Sequence, residues 1–69
     1  MDVKIYTLPN CGICHMVKTK LQQKNIPYTE YSLEDYADTF KIYSAPVLQI
    51  NETDILTSSV EINNWINNQ

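Results

Sequence analysis

The chain has 69 residues, 43% of them hydrophobic and 19% charged, and its formal net charge is −3 at pH 7. This composition is typical of an ordinary globular domain and excludes a disordered tail, and the length predicts one domain spanning residues 1–69. The basic residues are five lysines with no arginine, so clustered phosphate contacts with nucleic acid are not expected, and no apolar run approaches the roughly 18 residues that a membrane span needs.

The first half of the chain predicts a strand, a helix and a second strand. Residues 2–7 alternate between polar and apolar side chains, which is typical of a strand, and Pro9 and Asn10 end it. Apolar residues recur at helical spacing over 12–25, so we expect a helix directly after the first cysteine. This helix should end near Asn25, because Pro27 follows. Residues 28–32 then predict a second strand.

The second half predicts a helix, a hairpin and a last helix. Apolar residues from Leu33 to Tyr43 recur at helical spacing and predict one amphipathic helix, with Ser32 as its cap. Residues 46–50 and 55–57 predict two strands that are close enough to form a hairpin. Ser58 and Glu61 have the capping-box spacing that begins a helix. The order β-α-β-α-β-β-α, with a parallel crossover first, predicts an α/β fold with a four-stranded mixed sheet flanked by three helices.

The stretch CGICH, from Cys11 to His15, is compatible with three chemistries. As C-x-x-C-H it could attach a c-type haem, as one pair of ligands it could form half of a zinc site, and as C-x-x-C it could form a redox-active dithiol. A purely structural disulfide has little support, because a bridge between Cys11 and Cys14 closes too short a loop to restrict the unfolded chain much.

The rest of the sequence supports haem and zinc poorly. His15 is the only histidine, and the two methionines lie next to it and at the N-terminus, so a second axial ligand for haem is lacking. A structural zinc site needs four ligands, usually two pairs of cysteine or histidine, and no second pair is present. We therefore predict no metal, although a metal-carrying or redox-inert binding module of the same fold remains an alternative.

The predicted elements around the motif favour the dithiol. They place Cys11 at the N-terminus of a helix, where unpaired N–H groups and the positive end of the helix dipole stabilise a thiolate. Cys14 follows one turn later on the same face, deeper in the helix and within bonding distance. We therefore predict a redox-active Cys11–Cys14 disulfide, in which Cys11 is the nucleophile that attacks a target disulfide and Cys14 is the resolving thiol.

Two motifs at distant positions of the chain together indicate a protein family. One is the C-x-x-C after the first strand in VKIYTLPNCGICHMVKTKL, and the other is the proline that opens the third strand in SAPVLQI. With them, nearly the whole chain resembles the glutaredoxin group of the thioredoxin superfamily. The resemblance implies a thioredoxin-like fold and a thiol–disulfide oxidoreductase. It also implies a cis peptide bond before Pro46 that faces the dithiol, with the backbone of Ala45 and Val47 in contact with the substrate.

Two positions depart from the usual glutaredoxin pattern. The resemblance places Leu8 where glutaredoxins have a lysine that helps to bind glutathione. Residues 56–60, LTSSV, lack the Gly-Gly pair that precedes an acidic residue in that family. These departures, together with Gly12 and the short chain, make the sequence similar to those of the small redoxins that take electrons from thioredoxin reductase and deliver them to ribonucleotide reductase. A glutathione-dependent glutaredoxin remains the alternative, because Ser58 and Ser59 at a helix N-terminus could bind a carboxylate.

The resemblance therefore implies electron transfer without a bound cofactor. Electrons would come from NADPH through thioredoxin reductase, or through glutathione in the alternative, and pass to a disulfide-bearing protein such as ribonucleotide reductase. Leu8, Ile13 and Val47 are predicted to form an apolar rim around Cys11, with Gly12 also in contact with the substrate. Because no signal peptide is recognisable, we expect a cytoplasmic protein. We also expect it to be a monomer that binds neither nucleic acid nor membrane.

Overall fold

The computed structural model describes all 69 residues and places four strands in one mixed sheet. The elements are β1 (Val3–Thr7), α1 (Gly12–Gln23), β2 (Thr29–Ser32), a 3₁₀ turn (Leu33–Asp35), α2 (Ala37–Phe40), β3 (Val47–Ile50), β4 (Asp54–Leu56) and α3 (Ser59–Asn67). The strand order is β2-β1-β3-β4; β1 is parallel to β2, and β3 is antiparallel to both β1 and β4. This is the predicted α/β architecture. No helix has the length and apolar character required to cross a membrane.

The main hydrophobic core lies between one face of the sheet and the helices α1 and α3. Alternate residues of a strand point to the same face, so Val3 and Ile5 of β1 lie beside Leu48 and Ile50 of β3. The helices complete this core with four buried side chains, Val17, Leu21, Ile62 and Ile66. Burial of each such side chain stabilises the fold by about 1.5–3 kcal/mol, and it fixes α1, the helix that carries the cysteines, against the sheet.

A smaller aromatic cluster lies on the opposite face of the sheet. Tyr6 of β1 is buried there beside Leu33 and Val47. Three further rings pack on the ring of Tyr6 at centroid distances of 5.0 to 5.4 Å, those of Tyr31, Tyr36 and Phe40. Helices and turns therefore cover both faces, as the sequence predicts, but the second face is covered mainly by aromatic side chains.

The helix predicted over residues 33–43 is interrupted. The 3₁₀ turn and the four-residue α2 are separated by Tyr36, which has φ −121° and ψ −7°. Lys41 takes a left-handed conformation with φ 59° and ends α2. Ser32 precedes the 3₁₀ turn, but its side chain makes no capping hydrogen bond, so the predicted cap is wrong.

Aromatic packing accounts for the misleading helical spacing. Tyr36 and Phe40 both place their rings edge-on to Tyr6, so their spacing reflects contact with one ring and not a continuous helix. Tyr43 lies outside the cluster, is exposed, and donates a hydrogen bond from its hydroxyl to Asp38 at 3.2 Å.

The end of α1 follows the sequence-based expectation closely. Asn25 adopts φ 57° just beyond the helix. Its N–H donates to the Gln22 carbonyl at 3.0 Å, and the Ile26 N–H donates to the Leu21 carbonyl at 2.9 Å. These two bonds form a Schellman motif, which suits an asparagine because this residue tolerates the left-handed conformation.

The β3–β4 turn is tied to the start of β1, at the end of the sheet remote from the cysteines. Asn51 and Glu52 both have positive φ, 55° and 64°, as the central residues of a tight hairpin turn do. Asn51 exchanges two hydrogen bonds with the Asp2 backbone, and the Lys4 ammonium pairs with the Glu52 carboxylate at 2.6 Å. This pairing holds the pKa of Glu52 below its ordinary value.

Candidate active site

The two cysteines lie where β1 leads into α1. Asn10, with φ 59°, turns the chain after the strand, and Cys11 is the N-cap residue of α1 with φ −97° and ψ 102°. Cys14 lies in the first helical turn, with its Cα 5.3 Å from that of Cys11, and the two are joined in a disulfide. Cys11 is partly exposed whereas Cys14 is only 3% exposed, so a partner can reach Cys11 more easily than Cys14.

The sulfur of Cys11 caps the helix. The Cys14 N–H donates to Cys11 Sγ at 3.1 Å, which provides a partner for one of the N–H groups that a helix N-terminus otherwise leaves unpaired. In the reduced protein the same N–H and the positive end of the helix dipole stabilise a thiolate on Cys11. The geometry is therefore suited to a nucleophile at Cys11, the role that the sequence predicts.

The segment before β3 reaches the same end of the sheet. Tyr6, next to the last residue of β1, pairs with Val47, the first residue of β3, which places Pro46 beside the β1–α1 connection. Pro46 is buried and its peptide bond with Ala45 is cis. Contact between this segment and a substrate stays a prediction.

The predicted apolar rim requires a correction. The side chain of Val47 is fully buried in the aromatic cluster, so only its backbone is available to a partner. Leu8 is partly buried against the same cluster, while Ile13 is 49% exposed. Gly12 is exposed and has open space where a Cβ would lie. Of the residues predicted to surround Cys11, Gly12 and Ile13 are therefore accessible, with a smaller part from Leu8.

An open groove of about 530 Å³ runs beside the disulfide. Both cysteines line it, and so do three polar side chains from separate elements: Thr7 of β1, Lys18 of α1 and Glu30 of β2. Glu30 Oε2 accepts a hydrogen bond from the Thr7 hydroxyl at 2.8 Å and pairs with Lys18 Nζ at 3.1 Å. The Thr7 hydrogen bond first, and then that from Lys18, hold the pKa of Glu30 below its ordinary value of 4.5.

These three polar residues are absent from the sequence-based prediction of the site. Lys18 follows Cys14 by four residues, and this spacing is a signal that the two share a helix face. No comparable signal exists for Glu30, because its place in the groove depends on the pairing of β2 with β1, which brings Glu30 opposite Ile5.

The N-terminus of α3 carries its own acidic group. Strand β4 ends at Leu56, which pairs with Leu48 near the start of β3, so α3 begins at the end of the sheet where the cysteines lie. Ser58 Oγ accepts from the Glu61 N–H at 3.1 Å, and Glu61 Oε1 accepts from the Ser58 N–H at 3.4 Å. The predicted capping box is present, and it places a carboxylate at this helix end.

The molecule contains no cluster of side chains that could bind a metal ion. No group of three or more histidine, cysteine, aspartate or glutamate side chains lies close enough together to hold an ion. His15 is exposed on α1 and lines the groove beside the cysteines. The arrangement at this end of the sheet is thus two sulfur atoms, a helix N-terminus and a polar groove, which suits thiol–disulfide exchange.

Comparison with protein families identifies one match: the glutaredoxin family model matches residues 3–55. No curated protein sequence matches the chain. Among solved structures, the thioredoxin-like protein BC3987 shares 22% identity at a TM-score of 0.76 and covers 94% of this chain and 99% of its own. The NrdH-redoxin of Escherichia coli shares 19% identity at a TM-score of 0.74, with 93% of each chain covered.

A larger protein contains the same fold. A glutathione S-transferase from the silkworm Bombyx mori shares 20% identity at a TM-score of 0.78, and the similarity covers all of this chain but 38% of that one. At these identities the solved structures show a common thioredoxin-like fold and nothing finer about the chemistry.

Proposed function

Because this chain belongs to the glutaredoxin family, we propose that it is a dithiol redoxin that accepts electrons from thioredoxin reductase and passes them to protein disulfides, with ribonucleotide reductase as the acceptor. The family and the Cys11–Cys14 disulfide support thiol–disulfide oxidoreductase activity in general. The similarity to the NrdH-redoxin, described as a glutaredoxin-like protein with a thioredoxin-like activity profile, agrees with the choice of reductant.

The reaction transfers two electrons in two exchanges. The Cys11 thiolate attacks one sulfur of the partner disulfide, so a Cys11–partner bond forms while the partner's second sulfur leaves as a thiolate and takes a proton from water. Cys14 then loses its proton to solvent and attacks Cys11 Sγ. The internal disulfide forms and the mixed disulfide breaks. The partner's first sulfur then leaves as a thiolate that takes a proton from solvent, so the partner is released as a dithiol. Electrons from NADPH, delivered by the reductase, restore the two thiols of the redoxin.

The observation that carries the choice of reductant is the carboxylate of Glu61 at the N-terminus of α3. A helix N-terminus attracts anions, but here Glu61 occupies that position through the capping box. The capping box already pairs the N–H groups of Ser58 and Glu61, so a carboxylate of glutathione would find fewer N–H groups at this helix end and would lie beside the negative charge of Glu61. Leu8, which carries no charge, stands at the other position where a lysine would bind glutathione. A bound glutathione would therefore lack its lysine partner at one end and lie beside a like charge at the other.

The test compares two sources of electrons. The oxidised protein is supplied with NADPH and either thioredoxin reductase or glutathione with glutathione reductase, and NADPH oxidation is followed with insulin as the disulfide substrate. We expect turnover with thioredoxin reductase and at most a small fraction of that rate with glutathione. Turnover with glutathione alone would overturn the proposed reductant. Failure with both donors would leave a binding module of the same fold.

Purified ribonucleotide reductase tests the acceptor separately. We expect the reduced redoxin to support deoxyribonucleotide formation as the only thiol donor. A redoxin that reduces insulin but not ribonucleotide reductase would overturn the proposed acceptor while leaving the oxidoreductase activity intact. The Cys11→Ser variant is the control for both assays, because it lacks the nucleophile.

A further inference from the structure

One ion pair lies in the groove beside the disulfide. Lys18 follows Cys14 by four residues on the same face of α1, and both line this groove together with Cys11. The Lys18 ammonium donates hydrogen bonds to both carboxylate oxygens of Glu30, at 3.1 and 3.3 Å. A lysine ammonium on a flexible four-carbon stem can take other positions along this face, including positions closer to a negatively charged sulfur. In the structure, Glu30 determines which position it takes.

Glu30 is itself fixed from two directions. It lies on the edge strand β2 opposite Ile5, whose side chain packs under α1, so Glu30 lies on the face of the sheet that α1 covers. Thr7, two residues after Ile5, is on the same face and donates to Glu30 at 2.8 Å. The hydrogen bonds from Thr7 and Lys18 lower the pKa of Glu30, so its carboxylate carries a negative charge at neutral pH.

From this geometry we propose that Glu30 is a positioning residue that holds the Lys18 ammonium in an ion pair and so limits how strongly Lys18 stabilises the Cys11 thiolate. The inference rests on the dithiol chemistry of the proposed function and adds the residue that sets its reactivity. Removal of Glu30 leaves Lys18 free to approach the sulfur, and an unpaired cation near a thiolate favours the charged form. Removal of Lys18 has the opposite effect.

The remaining charged or titratable groups near the dithiol do not depend on Glu30. His15 is on α1 and lines the groove, and substitutions of Glu30 or Lys18 leave it in place. Glu61 lies on α3 and is held by its own capping box with Ser58. The segments 8–10 and 45–47 carry no charged side chain. The pair of Lys18 and Glu30 is therefore the part of the surrounding charge that one substitution can rearrange.

The thiolate links this ion pair to the reduction equilibrium. With Cys11 ionised, reduction of the disulfide takes up two electrons and one proton and yields the Cys11 thiolate and the Cys14 thiol. Any group that stabilises this thiolate lowers the pKa of Cys11 and favours the reduced form by the same factor. Loss of Glu30 should therefore make the protein a better oxidant, and loss of Lys18 a better reductant.

The experiment measures both quantities in Glu30→Gln, Lys18→Met and the double variant. The pKa of Cys11 is taken from the ultraviolet absorbance of the thiolate, and the reduction equilibrium from incubation with mixtures of reduced and oxidised dithiothreitol. We expect Glu30→Gln to lower the pKa by about half a unit to one unit and to shift the equilibrium about 3- to 10-fold toward the dithiol, about 15–30 mV. Lys18→Met should raise the pKa by a similar amount.

The double variant separates positioning from direct repulsion. If Glu30 acts through Lys18, Glu30→Gln changes the pKa by less than half as much when Lys18 is already methionine. A shift of undiminished size in that background would show that Glu30 acts on the sulfur directly, and would overturn the proposal. Glu30→Ala is the second variant, in case the first folds poorly.

The Lys4–Glu52 pair supplies a matched control. Glu52→Gln and Lys4→Met remove the same charges from an ion pair at the other end of the sheet, and they should leave the pKa of Cys11 unchanged. Equal shifts from the two pairs would overturn the proposal, because general charge would then explain them. Dithiothreitol is the only electron donor, so a wrong reductase leaves this test intact. A wild-type disulfide that dithiothreitol does not reduce reversibly would overturn both this inference and the proposed function.

Discussion

The hydroxyl of Tyr6 donates a 2.7 Å hydrogen bond to the side-chain carbonyl oxygen of Gln49 and thereby joins β1 to β3 on the aromatic face of the sheet. Burial raises the pKa of Tyr6 above its ordinary value, so the phenol stays protonated and remains a donor. The same residue carries the ring on which Tyr36 and Phe40 pack. Tyr6 is thus a structural residue beneath the active-site end of the sheet.

Tyr6→Phe should separate the hydrogen bond from the packing. The ring contacts are kept, so we expect a loss of about 0.5–1.5 kcal/mol in the free energy of unfolding, the usual contribution of one hydrogen bond. Tyr6→Ala should cost about 3–5 kcal/mol, because the ring is lost from the cluster. Urea denaturation measures both values. A phenylalanine variant as unstable as the alanine variant would contradict this division.

Replacement of each cysteine should have a distinct result. Cys11→Ser should abolish turnover, because the nucleophile at the helix N-cap is lost. Cys14→Ser should still attack a disulfide but accumulate mixed disulfides, because no resolving thiol remains. Mass spectrometry of the protein after incubation with insulin, whose disulfides are intact, measures the adduct. Adducts that form in Cys11→Ser and not in Cys14→Ser would reverse the two roles.

Gly12 tests the exposed surface next to Cys11. A Cβ at this position meets no atom within 4 Å, so Gly12→Ala should fold normally and gain up to about 0.4–1 kcal/mol through lower entropy of the unfolded chain. Gly12→Leu should likewise fold, but its bulk should lower kcat/KM for a protein disulfide more than for a small disulfide. Gln23→Leu, at the other end of α1, is the control. Equal effects on both substrates would argue against a docking role for this surface.

The preference against glutathione should be reversible by charge. Leu8→Lys combined with Glu61→Gln introduces one cation and removes one anion where glutathione carboxylates would lie. Exposed charge contacts contribute about 0.2–1 kcal/mol each, so two of them should raise kcat/KM with glutathione about 2- to 30-fold. The control is Asp54→Lys, which makes the same change in net charge at the remote end of the sheet. A similar gain in the control would exclude a local effect.

The Thr7–Glu30–Lys18 network should give a small, pH-dependent contribution to stability. The pKa of Glu30 is lower in the folded protein than in the unfolded chain, so its stabilisation is fully present above the pKa of the unfolded chain and disappears as the pH falls through the lower folded value. Because the Glu30 side chain is 42% exposed, we expect at most about 0.5 kcal/mol.

Urea denaturation of the wild type and Glu30→Gln between about pH 3 and pH 7 measures this contribution. The difference in unfolding free energy should shrink toward acidic pH, and it should be smaller throughout in a Lys18→Met background. A difference that grows as the pH falls would show that the carboxylate is not stabilised by the fold.

Local patterns and long-range pairing differ in how far the sequence predicts them. The place of Cys11 at the start of α1 and the end of that helix at Asn25 follow from neighbouring residues, and both agree with the structure. The side chains that line the groove with the cysteines do not follow from neighbouring residues, because Glu30 contacts Lys18 only through the register between β1 and β2. The interrupted helix over 33–43 has the same origin: packing across the sheet overrides a local periodicity.

The N-cap position of Cys11 makes one sulfur atom both the reactive group and the first support of its helix. As a thiolate it accepts a charge-assisted hydrogen bond from the Cys14 N–H, whereas in a mixed disulfide it is neutral and accepts a weaker one. In the internal disulfide Cys11 is neutral as well, so this cap is strongest in the reduced protein and weaker in both disulfide forms. The position at which the helix begins thus couples the stability of its first turn to the redox state of Cys11.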